Sequence, residues 1–234
     1  LNKSNDAIAL ARKIEHPFSI AYALNFSAWL HYMLRQIDSA ASLADEVISL
    51  SLEHGFFWVT LGSVIAGWAQ ASKGDTVEGL NSISSGLQNY RSAGASLSQT
   101  LQLSIEADTC LQANELERAQ ICLQEAITVA EQTGEKFWLA DIHRLLGETY
   151  HRMNNAQAAE SHFLNAVNIA KEQNVPMLLL RAVSSYARKT SKTNKQSMLN
   201  ILQKTREKIT TDMALLDLQE ADLLLKEFQQ PIHV

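Results

Sequence analysis

The side chains best suited to chemistry in this chain gather near position 147. Glu148 and His151 form a Glu-x-x-His pair, the spacing that sets two metal ligands on one helix face in di-iron bundles. Such a site needs a second Glu-x-x-His, and the sequence has none. His143 lies eight residues before His151, and Asp141 two before His143, but no Ser or Cys stands where it would complete a nucleophile, a base and an orienting acid. The group reads as the polar face of a helix. No phosphate cradle exists either: Ser92-Ala93-Gly94-Ala95 is a helix stop, Gly62 and Gly67 fall inside an apolar helical stretch, and GxxxxGK[ST] is absent. Cys110 and Cys122 sit in apolar helical patterns and read as buried thiols in a reducing cytoplasm. A chain that is not an enzyme, with no metal and no cofactor, is expected.

The elements that carry these residues are helices. Nine glycines and three prolines among 234 residues supply too few turns for many short strands, while 46% hydrophobic content can fill a core. A net charge of −5 argues against a nucleic-acid partner. The longest apolar runs, 56–59 and 177–180, fall far short of the ~20 residues that span a bilayer. The chain opens on Leu1 without a signal-peptide pattern, and it is read as a piece of a longer protein.

Punctuation reveals a repeat. Gly55, Gly94, Gly134 and Asn174 each close a long amphipathic stretch, at intervals of 39, 40 and 40 residues, and the period extends back to His16 before Pro17. Short polar breaks at 36–39, 73–75, 113–115, 154–155 and 193–194 divide each period into two helices. Residues 115–134 and 155–174 superpose without a gap: Ala119 on Ala159, Leu123 on Phe163, Ala126 on Ala166. A single hairpin cannot bury such a face, so hairpins must stack.

Leu146-Gly147, Tyr150, Ala159, Phe163 and Ala166 resemble the tetratricopeptide repeat, with size-compatible matches such as Gly67, Gly79, Ile83 and Gly86 two units earlier. The resemblance implies an all-α, right-handed superhelical solenoid of about five hairpins forming one domain over 1–234. Its units are 17–55, 56–94, 95–134, 135–174 and 175–211, with a partial helix at 4–15 and a capping helix at 214–228. Segments 16–33, 55–74, 134–150 and 217–228 further resemble the C-terminal repeats of bacterial signalling proteins in which an adenylate/guanylate cyclase or other output domain precedes a STAND-type AAA-like ATPase.

In that family the first helix of each hairpin lines a concave groove. Carried over position by position, this implies Tyr22, Asn25, Trp29 and Tyr32 in the first unit, Trp68 in the second and Asp108 in the third. The fourth unit adds Asp141, Arg144, Glu148, His151 and Arg152, and the fifth Arg181, Arg188 and Lys192. The aromatic pairs Phe57-Trp58 and Phe137-Trp138 are expected in the core. Residues 175–210 hold eight Lys/Arg against one acid, a basic end suited to an acidic partner segment. The expected function is a non-catalytic interaction or regulatory module of a cytoplasmic signalling ATPase or cyclase. It would bind a protein or peptide segment, or the parent's own ATPase domain, without nucleic acid or membrane. The alternative is a small-molecule sensing arm of a STAND-type regulator.

Overall fold

Apolar residues at steps of three and four, broken by residues that tolerate a left-handed backbone, leave the chain one regular option. In the computed structural model every element among the described residues is an α-helix. The structure describes residues 1–190, 192–211 and 215–229. The chain divides into two compact units, Leu1–Glu115 and Leu116–Val234. The first holds α1 (Asn2–Lys13), α2 (Pro17–Met33), α3 (Ile37–His54), α4 (Trp58–Ser72), α5 (Thr76–Ser92) and α6 (Gln99–Gln112). The second holds α7 (Leu116–Thr133), α8 (Leu139–Arg152), α9 (Ala156–Glu172), α10 (Pro176–Lys189), α11 (Lys192–Glu207) and α12 (Leu216–Gln229).

Among the described residues nine helix ends are closed by a residue at positive φ. Gly55, Gly94, Gly134 and Asn174 take φ of 69°, 71°, 77° and 54°. The preceding stop of that series is Glu15 at φ 53°, so the sequence reading, which placed it at His16, was one residue late. His16 instead is the extended residue that leads into Pro17 at the start of α2. A second series runs through Arg35, Gly74, Asn114 and Asn154 and closes α2, α4, α6 and α8. Asp75 and Asn155 then cap the following helices, accepting from the backbone N–H of Glu78 and Ala158 at 3.3 and 3.1 Å.

In the first unit α2 pairs with α3 and α4 with α5, with α1 packed on α2 and α6 on both α4 and α5. In the second, α8 pairs with α9 and α10 with α11; α7 packs on α8, and α12 lies on α10 and α11. Small residues sit where helices touch. A Cβ on Gly67 would lie 2.5 Å from the Gly79 carbonyl oxygen, and one on Gly79 equally close to that of Gly67. Neither backbone can give way, so α4 and α5 meet at a contact only glycine permits. In the second unit Gly147 leaves room for the ring of Phe163, which a Cβ would approach to 2.6 Å. No helix among the described residues is long and apolar enough to cross a membrane.

Candidate functional site

The first helices of the hairpins carry nearly all the side chains singled out in the sequence, and each unit treats them differently. In the first unit α2 presents an aromatic ridge. Phe18, Tyr22 and Phe26, four residues apart, are 40%, 48% and 37% exposed. Tyr22 lies 4.7 Å from Phe26 and edge-on to Trp58 at 5.3 Å, while Phe18 meets Phe56 at 5.3 Å and Trp58 at 5.8 Å. Of the expected groove residues here, Tyr22 is exposed and Asp108 half-buried. Asn25, Trp29, Tyr32 and Trp68 are buried. Trp29 packs under Phe26 at 4.9 Å, and Tyr32 stands edge-on to Trp68 at 4.8 Å. Trp68 donates its indole N–H to Asp108 at 3.0 Å, forty residues on.

Beneath the ridge lie polar atoms without hydrogen-bond partners: both ends of the Asn25 carboxamide and the indole N–H of Trp58. The expectation that both aromatic pairs are core holds for Trp58 but not for Phe57 or Phe137, which are exposed. Consecutive residues entering a helix point about 100° apart, so only one of each pair can face inward.

In the second unit the same positions carry ions. Arg144 donates to Asp141 at 2.7 Å, and Arg181 lies 3.9 Å from Asp141 on one side while donating to both Asp217 oxygens at 3.1–3.2 Å on the other. Asp141 and Asp217 are buried. Burial works against the Arg181 charge, but Asp217 and then Asp141 outweigh it and hold the guanidinium above its ordinary pKa. Further along, Lys189 pairs with Glu148 at 3.5 Å and Arg188 with Glu220 at 3.2 Å, and Arg206 on α11 grips Asp222 through two nitrogens at 2.8 and 3.0 Å. Among the described side chains, four of the eight bases of 175–210 are thus paired inside this unit, and for three of them α12 supplies an acid. The seat expected for an acidic partner segment is partly taken by the chain's own acidic helix. His151 and Arg152 are exposed, and the Lys192 side chain lies outside the described residues.

Glu148 therefore faces a lysine. His143 turns instead toward α9, where its Nδ1 comes within 2.9 Å of Nδ1 of His162, with the rings stacked at 5.1 Å. Tyr150 stacks on His162 at 5.3 Å and accepts a hydrogen bond from Gln120 at 3.2 Å. Burial, and secondly the neighbouring His162, lower the pKa of His143 to about 4, and burial lowers that of His162. Sequence reasoning missed His162, Phe18, Phe26 and the acids of α12. Only the four-residue spacing of Phe18, Tyr22 and Phe26 was a signal it had in hand. Among the described residues no group of three or more His, Cys, Asp or Glu is placed to hold a metal ion. Cys110 and Cys122 are buried free thiols.

Comparison with known proteins agrees with the helical-repeat fold. Over nearly its full length the fold is similar to the crystal structure of BtubC (BKLC) from P. vanneervenii, with a TM-score of 0.60 and 14% identity, covering 98% of this chain and 91% of that one. The chain is also 27% identical over 187 residues to an uncharacterized protein of Rhizobium meliloti (strain 1021); the match covers 77% of this chain and 18% of that much longer protein. Residues 99–172, from α6 through α9, match the tetratricopeptide repeat family model, so the all-α repeat fold contains a tetratricopeptide-repeat region there.

Proposed function

We propose that the chain is a non-catalytic interaction module that binds a protein or peptide segment along the first helices of its hairpins. Tetratricopeptide repeats generally mediate protein–protein contacts, which supports the class of function. The observation that carries the reading to a place is the exposed ridge of Phe18, Tyr22 and Phe26. Contiguous exposed aromatics mark interaction sites, because aromatic anchors supply large contact area at little entropic cost. The contact need not be acidic, since α12 already answers much of the basic end. The parent is read as a cytoplasmic signalling ATPase or nucleotide cyclase, with its own ATPase domain among the partners; the small share of the Rhizobium relative that the match covers suits a module within a larger protein.

The test is capture of a partner by the chain and by its Tyr22→Ala/Phe26→Ala variant, with helicity followed by circular dichroism. A partner held by the first and lost by the folded variant supports the ridge. Equal retention removes it. A second reading, sensing of a small molecule, is favoured by one observation: a cavity of about 370 Å³ between α3, α4 and α5, lined by Ile48, Ser63, Ala66, Asn81, Ser82 and Ser85. Its size suits a small ligand, and four of its six side chains offer hydroxyl or amide groups. Ligand-induced thermal stabilisation abolished by Ala66→Leu supports that reading instead.

A further inference from the structure

Tyr22 and Phe26 have counterparts in the helices that open the following repeats, and those counterparts are covered. On α4 they are Leu61 and Ile65, and on α6 Leu101 and Ile105, all four buried. The covering element is the opening helix before. Trp58 and Trp68, on the stripe of α4 that includes Leu61 and Ile65, meet Tyr22 and Tyr32 of α2. Asp108 and Gln112, on the stripe of α6 that includes Leu101 and Ile105, take hydrogen bonds from Trp68 and Ser72 of α4. In the second unit α8 lies on α10 in the same way: Ser185 is buried, and Arg181 is held near Asp141.

On α2 the same positions stay in water, and α1 shows the same open side. Glu15 closes α1 as Gly55 closes α3 one period later, so α1 stands where the second helix of a repeat stands. Among the described residues α3 packs on both α2 and α4 and buries Val47. α1 packs on α2 alone, and the counterpart of Val47, Ala7, is exposed, with Leu10 and Ile14 following on one side of the helix. Ala7, Leu10 and Ile14 of α1 and Phe18, Tyr22 and Phe26 of α2 are thus one half of a stacking interface that the fold completes between α2 and α4 and between α4 and α6. From this continuity we infer that α1 and α2 together seat one further amphipathic helix, the opening helix of the repeat whose second helix is α1, carried by the parent polypeptide directly ahead of it. The inference rests on the proposed reading of the ridge as a contact for a protein segment within a larger protein, and it names that segment. The contacting stripe of this helix is uncharged, with bulky apolar residues three and four apart, because a charge placed against such a seat would lose its water without gaining a partner. A helix fits where an extended peptide does not, since the seat offers side chains and no free backbone edge. A short loop joins it to α1, as residues 34–36 join α2 to α3 and 73–75 join α4 to α5.

The experiment compares thiol-labelling rates in the 234-residue chain and in its full-length parent, each carrying Tyr22→Cys or, as a control, Ile121→Cys. The native Cys110 and Cys122 are buried and add little background. Tyr22→Cys should label at least about tenfold more slowly in the parent than in the chain, while Ile121→Cys, at an exposed position of α7, labels equally in both. In the unaltered proteins, hydrogen exchange over residues 1–33 should slow in the same direction, which keeps the test intact if a variant folds poorly. Photo-crosslinking from p-benzoylphenylalanine at position 22 of the parent should land within one repeat length ahead of α1. Protection with a crosslink to any other segment, to a second copy or to a separate protein overturns the upstream helix and leaves the ridge as a contact. Equal labelling of Tyr22→Cys in chain and parent also overturns it, and leaves the ridge open to a separate partner. Failure of the ridge itself is read from the Tyr22→Ala/Phe26→Ala capture.

Discussion

The first-helix faces of the two units use one repeat position for opposite ends. In the unit Leu1–Glu115 that face is aromatic: exposed rings on α2 lie over buried polar groups that find no partner. In the unit Leu116–Val234 it is ionic, and its charges are spent on one another, Asp141 to Arg144 and Arg181, Arg181 to Asp217, Glu148 to Lys189. An ion pair shielded from water satisfies itself and offers little to a newcomer, whereas exposed aromatic surface keeps its full desolvation gain for whatever covers it. Charged composition was therefore a poor guide to where binding potential lies, and exposure of apolar rings a better one.

The sharpest way to break this comparison is to remove Asp217. Its carboxylate makes the direct hydrogen bonds to Arg181 in a largely buried setting, so Asp217→Ala leaves that cation only Asp141 at 3.9 Å and should cost about 3 kcal/mol in chemical denaturation. Replacing the pair together, Arg181→Met with Asp217→Leu, should recover most of that. A cost below about 1 kcal/mol for the single change would mean the ionic face contributes nothing to the fold.

Protonation probes the same unit more gently. His143 titrates near 4 in the folded chain, against 6.5 for the unperturbed group, because of burial first and His162 second. The unfolded chain therefore takes up the proton first as pH falls. The stability linked to this group is complete above about pH 6.5 and is lost progressively toward pH 4. Solvent screening at a partly exposed ring reduces the effect to on the order of 1–2 kcal/mol. Melting curves of the chain and of His143→Gln between pH 7 and 5 should converge as pH falls. Parallel curves would show that the pair does not feel the burial ascribed to it.

The smallest effect is the most pointed. Asn25 is fully buried with neither end of its carboxamide bonded, so Asn25→Leu removes an uncompensated desolvation cost and should be neutral or stabilising by about 1 kcal/mol. A loss of stability above about 2 kcal/mol would mean the amide is satisfied, and the contrast with the second unit would shrink.

Much of the architecture was readable from punctuation. Gly55, Gly94, Gly134 and Asn174 marked the repeat because glycine and asparagine tolerate the left-handed backbone at low cost. Glu15 and Arg35 do the same work and were invisible, since their side chains carry no conformational signature and only the neighbouring helices force them into place. The small residues of the repeat pattern were legible too. That Gly67 and Gly79 form a reciprocal backbone contact, while Gly147 receives a ring, was not.

The candidate site was legible only as a list of positions. Sequence placed Tyr22, Asn25, Trp29 and Trp68 on one side of their helices, and helical geometry alone suffices for that. It could not separate the exposed ring from the three buried side chains, because burial depends on how closely the neighbouring helices approach. Nor did it pair the basic stretch 175–210 with α12, which lies beyond it in the chain and returns against α10 and α11.

What the residues determined by themselves was local: helix content, the 39–40 residue period, the stops, and an apolar stripe that obliges hairpins to stack. These follow from backbone sterics and the 3.6-residue turn, which act within a few positions. Tertiary structure alone decided which charges cancel, which rings stay in water and which two histidines meet. Those outcomes depend on distances between helices well separated in sequence, and such distances come from packing whole faces together rather than from any local preference.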